Sequence, residues 1–240
     1  FRRVLFRSAD GMDEGEGYVM IPLQTSLPLR AIALCGYAAD PRAEKAYEWL
    51  LARRLEDGAW PTGIAGGTEA SGVGGRVGGY RRLAHSNWGC RTNTTAALLC
   101  LAHHPNRRHG QEAWQALDLL LGRETREMKT VGFEISRLLG AEPTRGYLTF
   151  FARFDPGLLL DLCRRTGASP EDTRVANLVL FIRDALGGTG LWNYLAQPQI
   201  SRWVTFDLLR SLKGIQTDGS WNGMEPQTPF QSYPTRRYRF

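Results

Sequence analysis

A chain of 240 residues with 42% apolar and 22% charged side chains has the make-up of a soluble globular protein with room for a sizeable core. No apolar run approaches the ~20 residues needed to cross a bilayer, and the N-terminus lacks the apolar stretch of a signal peptide. The net charge of +6 belongs to the chain ends: setting aside Arg2, Arg3, Arg7, Arg236, Arg237 and Arg239 reduces the 30 basic residues to 24, equal to the 24 acidic ones. A balanced body of this kind argues against nucleic acid as a partner. The four cysteines, Cys35, Cys90, Cys100 and Cys163, form no CxxC pair, and three lie in apolar helical context. That pattern predicts reduced thiols and a cytoplasmic location.

In chain order, residues 1–8 (Phe1-Arg2-Arg3-Val4-Leu5-Phe6-Arg7-Ser8) are expected to be a non-native leader in place of a missing native start, and residues 9–23 a flexible lead-in. Residues 24–225 read as one helical domain and 226–240 as a basic, aromatic tail. The stretch Leu29 to Tyr37 is apolar all round after its Arg30. Over 41–57, Tyr47, Leu50, Leu51 and Leu55 share one helical face, with Pro41 suited to the first turn and Gly58 to the end. Residues 61–80 hold eight glycines and read as a loop without a nucleotide-cradling motif. Thr94 to Ala102 is apolar on every side. His103, His104 and His109 follow as a helix-end group, expected to be solvated and favoured by the helix dipole.

Trp114, Leu117 and Leu121 mark the next amphipathic helix. Gly157 to Cys163 is again apolar all round. Val175, Leu178, Val179, Ile182 and Leu186 form the cleanest helical stripe, opened by Ser169-Pro170-Glu171-Asp172 and stopped by Gly187-Gly188. Amphipathic helices thus alternate with helices apolar on every side, which suggests an outer ring around an inner one. Phe133-Glu134-Ile135-Ser136-Arg137 and Phe206-Asp207-Leu208-Leu209-Arg210 repeat aromatic, acid, aliphatic and Arg in one order. Sustained strand alternation is absent, so the fold class expected is all-α.

One segment is more specific: Lys45-Ala46-x-x-Trp49-Leu50-x-x-x-Arg54-x-x-x-Gly58-x-Trp60. It resembles the QW motif of the squalene-cyclase-like terpenoid cyclases, with Arg54 where the motif has Gln. Phe181-Ile182 followed by Gly190-Leu191-Trp192 keeps the same offsets, and Gln216-Thr217-Asp218-Gly219-Ser220-Trp221 keeps the Gln and the Asp-Gly-x-Trp ending. The resemblance implies an α/α toroid, the fold shared by these cyclases and the β subunits of protein prenyltransferases, here as a ring or an incomplete one. In the family the Trp and Gln tie one helix pair to the next, and Arg54 would alter that tie.

The resemblance carries activity over less completely. The chain has no DxDD and no DDxxD motif. Asp161-Leu162-Cys163 has the spacing of the prenyltransferase zinc pair, but every histidine precedes it, so neither a metal nor another cofactor is expected. In a toroid of this kind the cavity opens where the inner helices begin. The candidate lining is therefore Trp88, Phe133, Phe154, Trp203 and Phe206, with Arg91, Asn93 and Arg202 at helix starts. Such aromatics suit an apolar ligand and would stabilise a carbocation. Arg91 and Arg202 would hold a diphosphate or carboxylate. Glu134 and Asp207 are the candidate catalytic acids, because burial on apolar helices raises a carboxyl pKa.

The function expected is a terpenoid cyclase-like or prenyltransferase-like protein with an apolar small molecule or lipid as partner, and with peripheral membrane contact open to it. A non-catalytic binding or interaction toroid is the second expectation. The third is a carbohydrate-active α/α barrel that uses Glu134 and Asp207 as paired carboxylates.

Overall fold

The structure, a computed structural model, describes residues 22–61, 83, 85–122, 131–141 and 155–215. Within these residues the chain is all-α. Eight helices follow in order: α1 (Pro22–Leu34), α2 (Pro41–Leu51), α3 (Arg91–His103), α4 (Gln111–Leu121), α5 (Phe133–Leu138), α6 (Pro156–Thr166), α7 (Thr173–Asp184) and α8 (Ser201–Ile215), the last entered through a short 3-10 turn at Pro198–Ile200. The one β pairing among the described residues is an isolated antiparallel bridge between Pro61 and Gly89.

The helices pack in two rows. α1, α3, α6 and α8 lie side by side in that order, each against the next. α2 packs behind α1, α4 behind α3 and α6, and α7 behind α6, while short α5 lies across α6 and α8. Hydrophobicity explains the assignment. Residues Arg91 to Ala102 of α3 are all buried, as are all but Leu158 from Pro156 to Cys163 of α6. A helix with no polar face must be covered on all sides. α2 and α7 bury one stripe each, Ala43, Ala46, Tyr47 and Leu50 in the first and Val175, Leu178, Val179 and Ile182 in the second.

Two of the outer helices, α2 and α7, begin with a side-chain cap. Asp40 accepts from the Arg42 backbone N–H at 2.9 Å, and Asp172 from that of Arg174 at 2.8 Å. In both, the Arg at that position folds back and binds its capping carboxylate with two nitrogens. Such a cap satisfies an orphan donor of the first turn and is worth about 1 kcal/mol.

The joints that return the chain from the outer row to the inner row are alike in detail. Trp60 is buried after α2, and its indole Nε1 donates to the Leu50 carbonyl at 2.8 Å. Trp192, after α7, donates in the same way to Ile182 at 2.6 Å, again ten residues upstream. The Trp60 backbone N–H donates to the Thr94 hydroxyl on α3 at 3.0 Å, and that of Trp192 to the Thr205 hydroxyl on α8 at 3.0 Å. Gly58 and Gly190, two residues before each Trp, have positive φ values of 91° and 76°. Non-glycine residues pay roughly 1–2 kcal/mol in that region. Leu55 donates its backbone N–H to Ala59 at 2.8 Å, and Gly187 donates to Leu191 at 3.0 Å, closing the same small loop.

Three expectations need correction. The stretch Leu29 to Tyr37 is not buried on every side: α1 ends at Leu34, and Leu34, Cys35 and Tyr37 are exposed. The helix instead starts at Pro22 and buries Leu23, Thr25, Ser26 and Leu29. Apolar content without a polar face was no guide here, because small polar residues fill the tight α1–α3 contact. On α4 the buried positions are Ala113, Ala116, Leu117, Leu119 and Leu120, whereas Trp114 is exposed and Leu121 half-buried. Close approach to α3 selects alanines, which rotates the stripe. The helix predicted over 41–57 stops at Leu51, and residues 52–58 turn toward Trp60. Arg54 does tie neighbouring units, by donating to the Gln115 amide oxygen on α4. The segments 1–8, 9–21, 62–82 and 216–240, with the third Trp-containing repeat, lie outside the described residues.

Candidate functional site

A cleft of about 330 Å³ opens along α6 and α8, between α5 and the C-terminal ends of α1 and α3. One wall is apolar: Leu34, Ile135, Leu138, Leu139, Leu158, Trp203 and Phe206 line it. Five of these large side chains are substantially exposed, Trp203 at 58% and Phe206 at 62% among them. Apolar residues concentrated around one opening are unusual on a surface and make this a candidate binding face.

The floor is charged and paired. Glu134 receives Arg30 from α1 at 2.7 Å and Arg137 at 3.0 Å. Asp161 receives Arg164 at 2.7 Å and Arg165 at 2.6 Å. Arg210 binds Asp207 and reaches Asp161 at 3.7 Å, so it bridges the two carboxylates. Deeper, Asp155 caps α6: Oδ1 accepts from the Gly132 and Gly157 backbone N–H groups and Oδ2 from that of Glu134, all within 2.9 Å. One carboxylate thereby fixes the start of α5 to the start of α6.

The two bridged acids titrate in opposite directions. Burial acts most strongly on Asp161, upward, but the Arg165 and Arg164 guanidiniums together outweigh it and hold the carboxyl below its ordinary value. Asp207 is raised, first by burial and then by the negative charge of Asp161, against the pull of Arg210. Adjacent acids driven apart in this way have separable roles, one ionised and one nearer to protonation. Burial also pushes Asp155 up to about 6, against its three backbone donors.

Of the residues singled out from sequence, Glu134, Trp203, Phe206 and Asp207 meet in this cleft. Arg202 lies in an adjoining open depression with Asn193 and Gln199, which shares Trp203 and Phe206. Trp88, Arg91 and Asn93 are elsewhere, at the opposite end of α3 from His103. Trp88 is exposed, Arg91 is buried, and Asn93 donates to the Pro61 carbonyl at 2.6 Å, which anchors the joint before α3. Phe133 is buried and does not line the cleft. Phe154 lies outside the described residues. The cavity is therefore reached from the C-terminal ends of α1 and α3, not from the start of α3.

The histidines do not form one solvated group: His109 is exposed, as expected, whereas His103 is half-buried and His104 buried. His104 is fully buried and bonds Glu44 at 2.8 Å, while its Nδ1 accepts backbone N–H groups from Asn106 and Arg107. His109 bonds the Thr166 carbonyl. His103 bonds the Leu99 carbonyl at 2.6 Å and lines the cleft. The Asp161–Cys163 pair diverges: Asp161 lies in the cleft, and the Cys163 thiol is buried in the core, where burial pushes it up to about 12.

Sequence reading did not assign Arg30, Arg165, Arg210 or His103 to the site. Arg210 was open to recognition, since it follows Asp207 by three residues on a helix. Comparison with protein-family models, curated proteins and solved structures finds no match to this chain.

Proposed function

We propose that this chain is an α/α toroid of the terpenoid cyclase and prenyltransferase kind, or an arc of one, and that its cleft holds an apolar isoprenoid-type ligand. The observation that carries the proposal is the cleft itself. A wall of Leu34, Leu138, Leu139, Trp203 and Phe206 stands open over a floor of paired charges. The like-built joints at Trp60 and Trp192, each between an outer helix and the next inner one, support the architectural half of the reading.

The arginine–carboxylate pairing of the floor favours binding over hydrolysis. Glu134, Asp161 and Asp207 each already hold a guanidinium, which suits them poorly to work as a free acid and base on a sugar. Should the site carry chemistry, Asp207 is the acid nearest to protonation, and Trp203 and Phe206 are placed to stabilise a cation. Four free cysteines accord with a reducing, cytoplasmic setting. No helix among the described residues is long and apolar enough to cross a membrane. The exposed aromatics beside the cleft would serve peripheral contact with a lipid surface during ligand transfer.

Thermal denaturation with farnesol and with squalene tests the reading. A rise in midpoint with either ligand, lost in Leu139→Lys, supports it. No rise with either ligand sinks it.

A further inference from the structure

The polar end of the cleft contains a feature that a pure hydrocarbon would not use. His103 lies on the last turn of α3 and lines the cleft beside Arg30, Asp161 and Arg165. Its Nδ1 is 2.6 Å from the Leu99 carbonyl oxygen. A carbonyl only accepts, so Nδ1 carries the proton and Nε2 of the neutral ring is a lone-pair acceptor. Among the described residues nothing pairs with Nε2. Burial, then the positive charges of Arg165 and Arg30, hold the imidazole down at about 4, so it stays neutral at ordinary pH. A base that weak is a poor proton acceptor near neutrality, which leaves it the role of a fixed hydrogen-bond acceptor.

The same cleft holds a donor whose charge reaches the imidazole. Arg165 spends its Nε on Asp161 at 2.6 Å, and its two terminal nitrogens have no partner among the described residues. An acceptor and a cationic donor lining one cleft match a group that both donates and accepts. A carboxylate or diphosphate would leave Nε2 facing an acceptor, and would lie against Glu134, Asp161 and Asp207. A hydrocarbon would leave both polar partners unmet, which is costly once water is excluded.

We infer that the cleft takes an apolar alcohol, whose hydroxyl donates to His103 Nε2 and accepts from Arg165 while its hydrocarbon body lies along Leu138, Leu139, Trp203 and Phe206. The inference rests on the reading of the cleft as an isoprenoid site, and it names the head group of the ligand.

Three probes of one skeleton, titrated into the full chain by calorimetry, test it: farnesol, the hydrocarbon farnesene and farnesyl diphosphate. Farnesol is expected to bind about tenfold more tightly than farnesene, as one or two hydrogen bonds allow. It is expected to bind more tightly than the diphosphate as well. His103→Phe should bring the affinity for farnesol down to that for farnesene measured on the same variant. His103→Gln, whose amide oxygen is also an acceptor, should restore part of it and guards against misfolding of the first variant. Farnesene binding as well as farnesol, or the diphosphate binding best, overturns the alcohol inference while leaving the isoprenoid reading standing. Binding of none of the three overturns both.

Discussion

The joints at Trp60 and Trp192 and the cleft floor between α6 and α8 are both buried and polar, yet they are satisfied by different chemistry. The bonds that the two joints share are neutral: an indole to a carbonyl, a backbone N–H to a threonine hydroxyl. On the floor the bonds are ion pairs, with three arginines converging on Asp161 alone. Neutral, fully matched bonds fix one geometry at little desolvation cost, which suits the part of the chain that sets helix register. Buried ion pairs give less net stability and keep titratable charge where a ligand can meet it. The joints therefore carry the fold, and the floor carries the charge of the proposed site.

The strongest way to break this division is to remove a joint. Trp60→Ala should cost about 4 kcal/mol, the usual range for truncating a fully buried large aromatic, and Trp192→Ala nearly as much. Chemical denaturation gives the number; a loss below about 1 kcal/mol at either site would deny the joints their role. On the floor, Asp161→Asn should cost about 2 kcal/mol, because it leaves the half-buried Arg164 and Arg165 without their carboxylate. The pH dependence separates the regions further. The folded-state pKa of Asp161 is lowered, so its contribution is present above about pH 4 and is lost as pH falls below it. Asp207, whose pKa is raised, works in the opposite sense, losing its contribution as pH rises through its folded value. Stability of Asp161→Asn should fall less steeply on acidification than that of the parent, whereas Trp60→Ala should keep the parental slope. Equal slopes for all three would put the acid response elsewhere.

Sharper still is a contrast between the two joints. A Cβ on Gly58 would stand 2.8 Å from Gln115 Cβ, while one on Gly190 would meet nothing within 4 Å. Both positions have positive φ, so Gly190→Ala should cost about 1–2 kcal/mol and Gly58→Ala about 1 kcal/mol more. Indistinguishable melting curves for the two variants would show that the joints sit in equivalent surroundings after all. The smallest expected change is Trp203→Ala. This exposed side chain should leave stability within about 0.5 kcal/mol and still abolish the thermal shift given by an apolar ligand.

Much of the helical layout was legible in the sequence, because the stripe of α7 and the unbroken apolar runs of α3 and α6 leave few alternatives to burial. The Trp joints were legible as a repeat, although only the structure shows their common hydrogen bonds. α1 was misread because Thr25 and Ser26 are buried by close helix packing, which a hydrophobic pattern does not encode. The acids of the site could be picked out as charges on apolar helices. Arg30, the partner of Glu134, comes from another helix, so only the tertiary arrangement brings it in, whereas Arg165 pairs with Asp161 one turn earlier on α6. His103 was misjudged for a similar reason: a position at a helix end implies solvent, and here α6 and its arginines cover it.

The central claim is that the cleft binds an apolar, isoprenoid-type molecule. Native mass spectrometry of the full chain, purified without detergent from the cells that make it, tests this most directly. The account predicts a bound species whose added mass matches an isoprenoid lipid and which is missing from Leu139→Lys. Wild-type protein that is entirely free of ligand, and that takes up neither farnesol nor squalene when they are added, would contradict it.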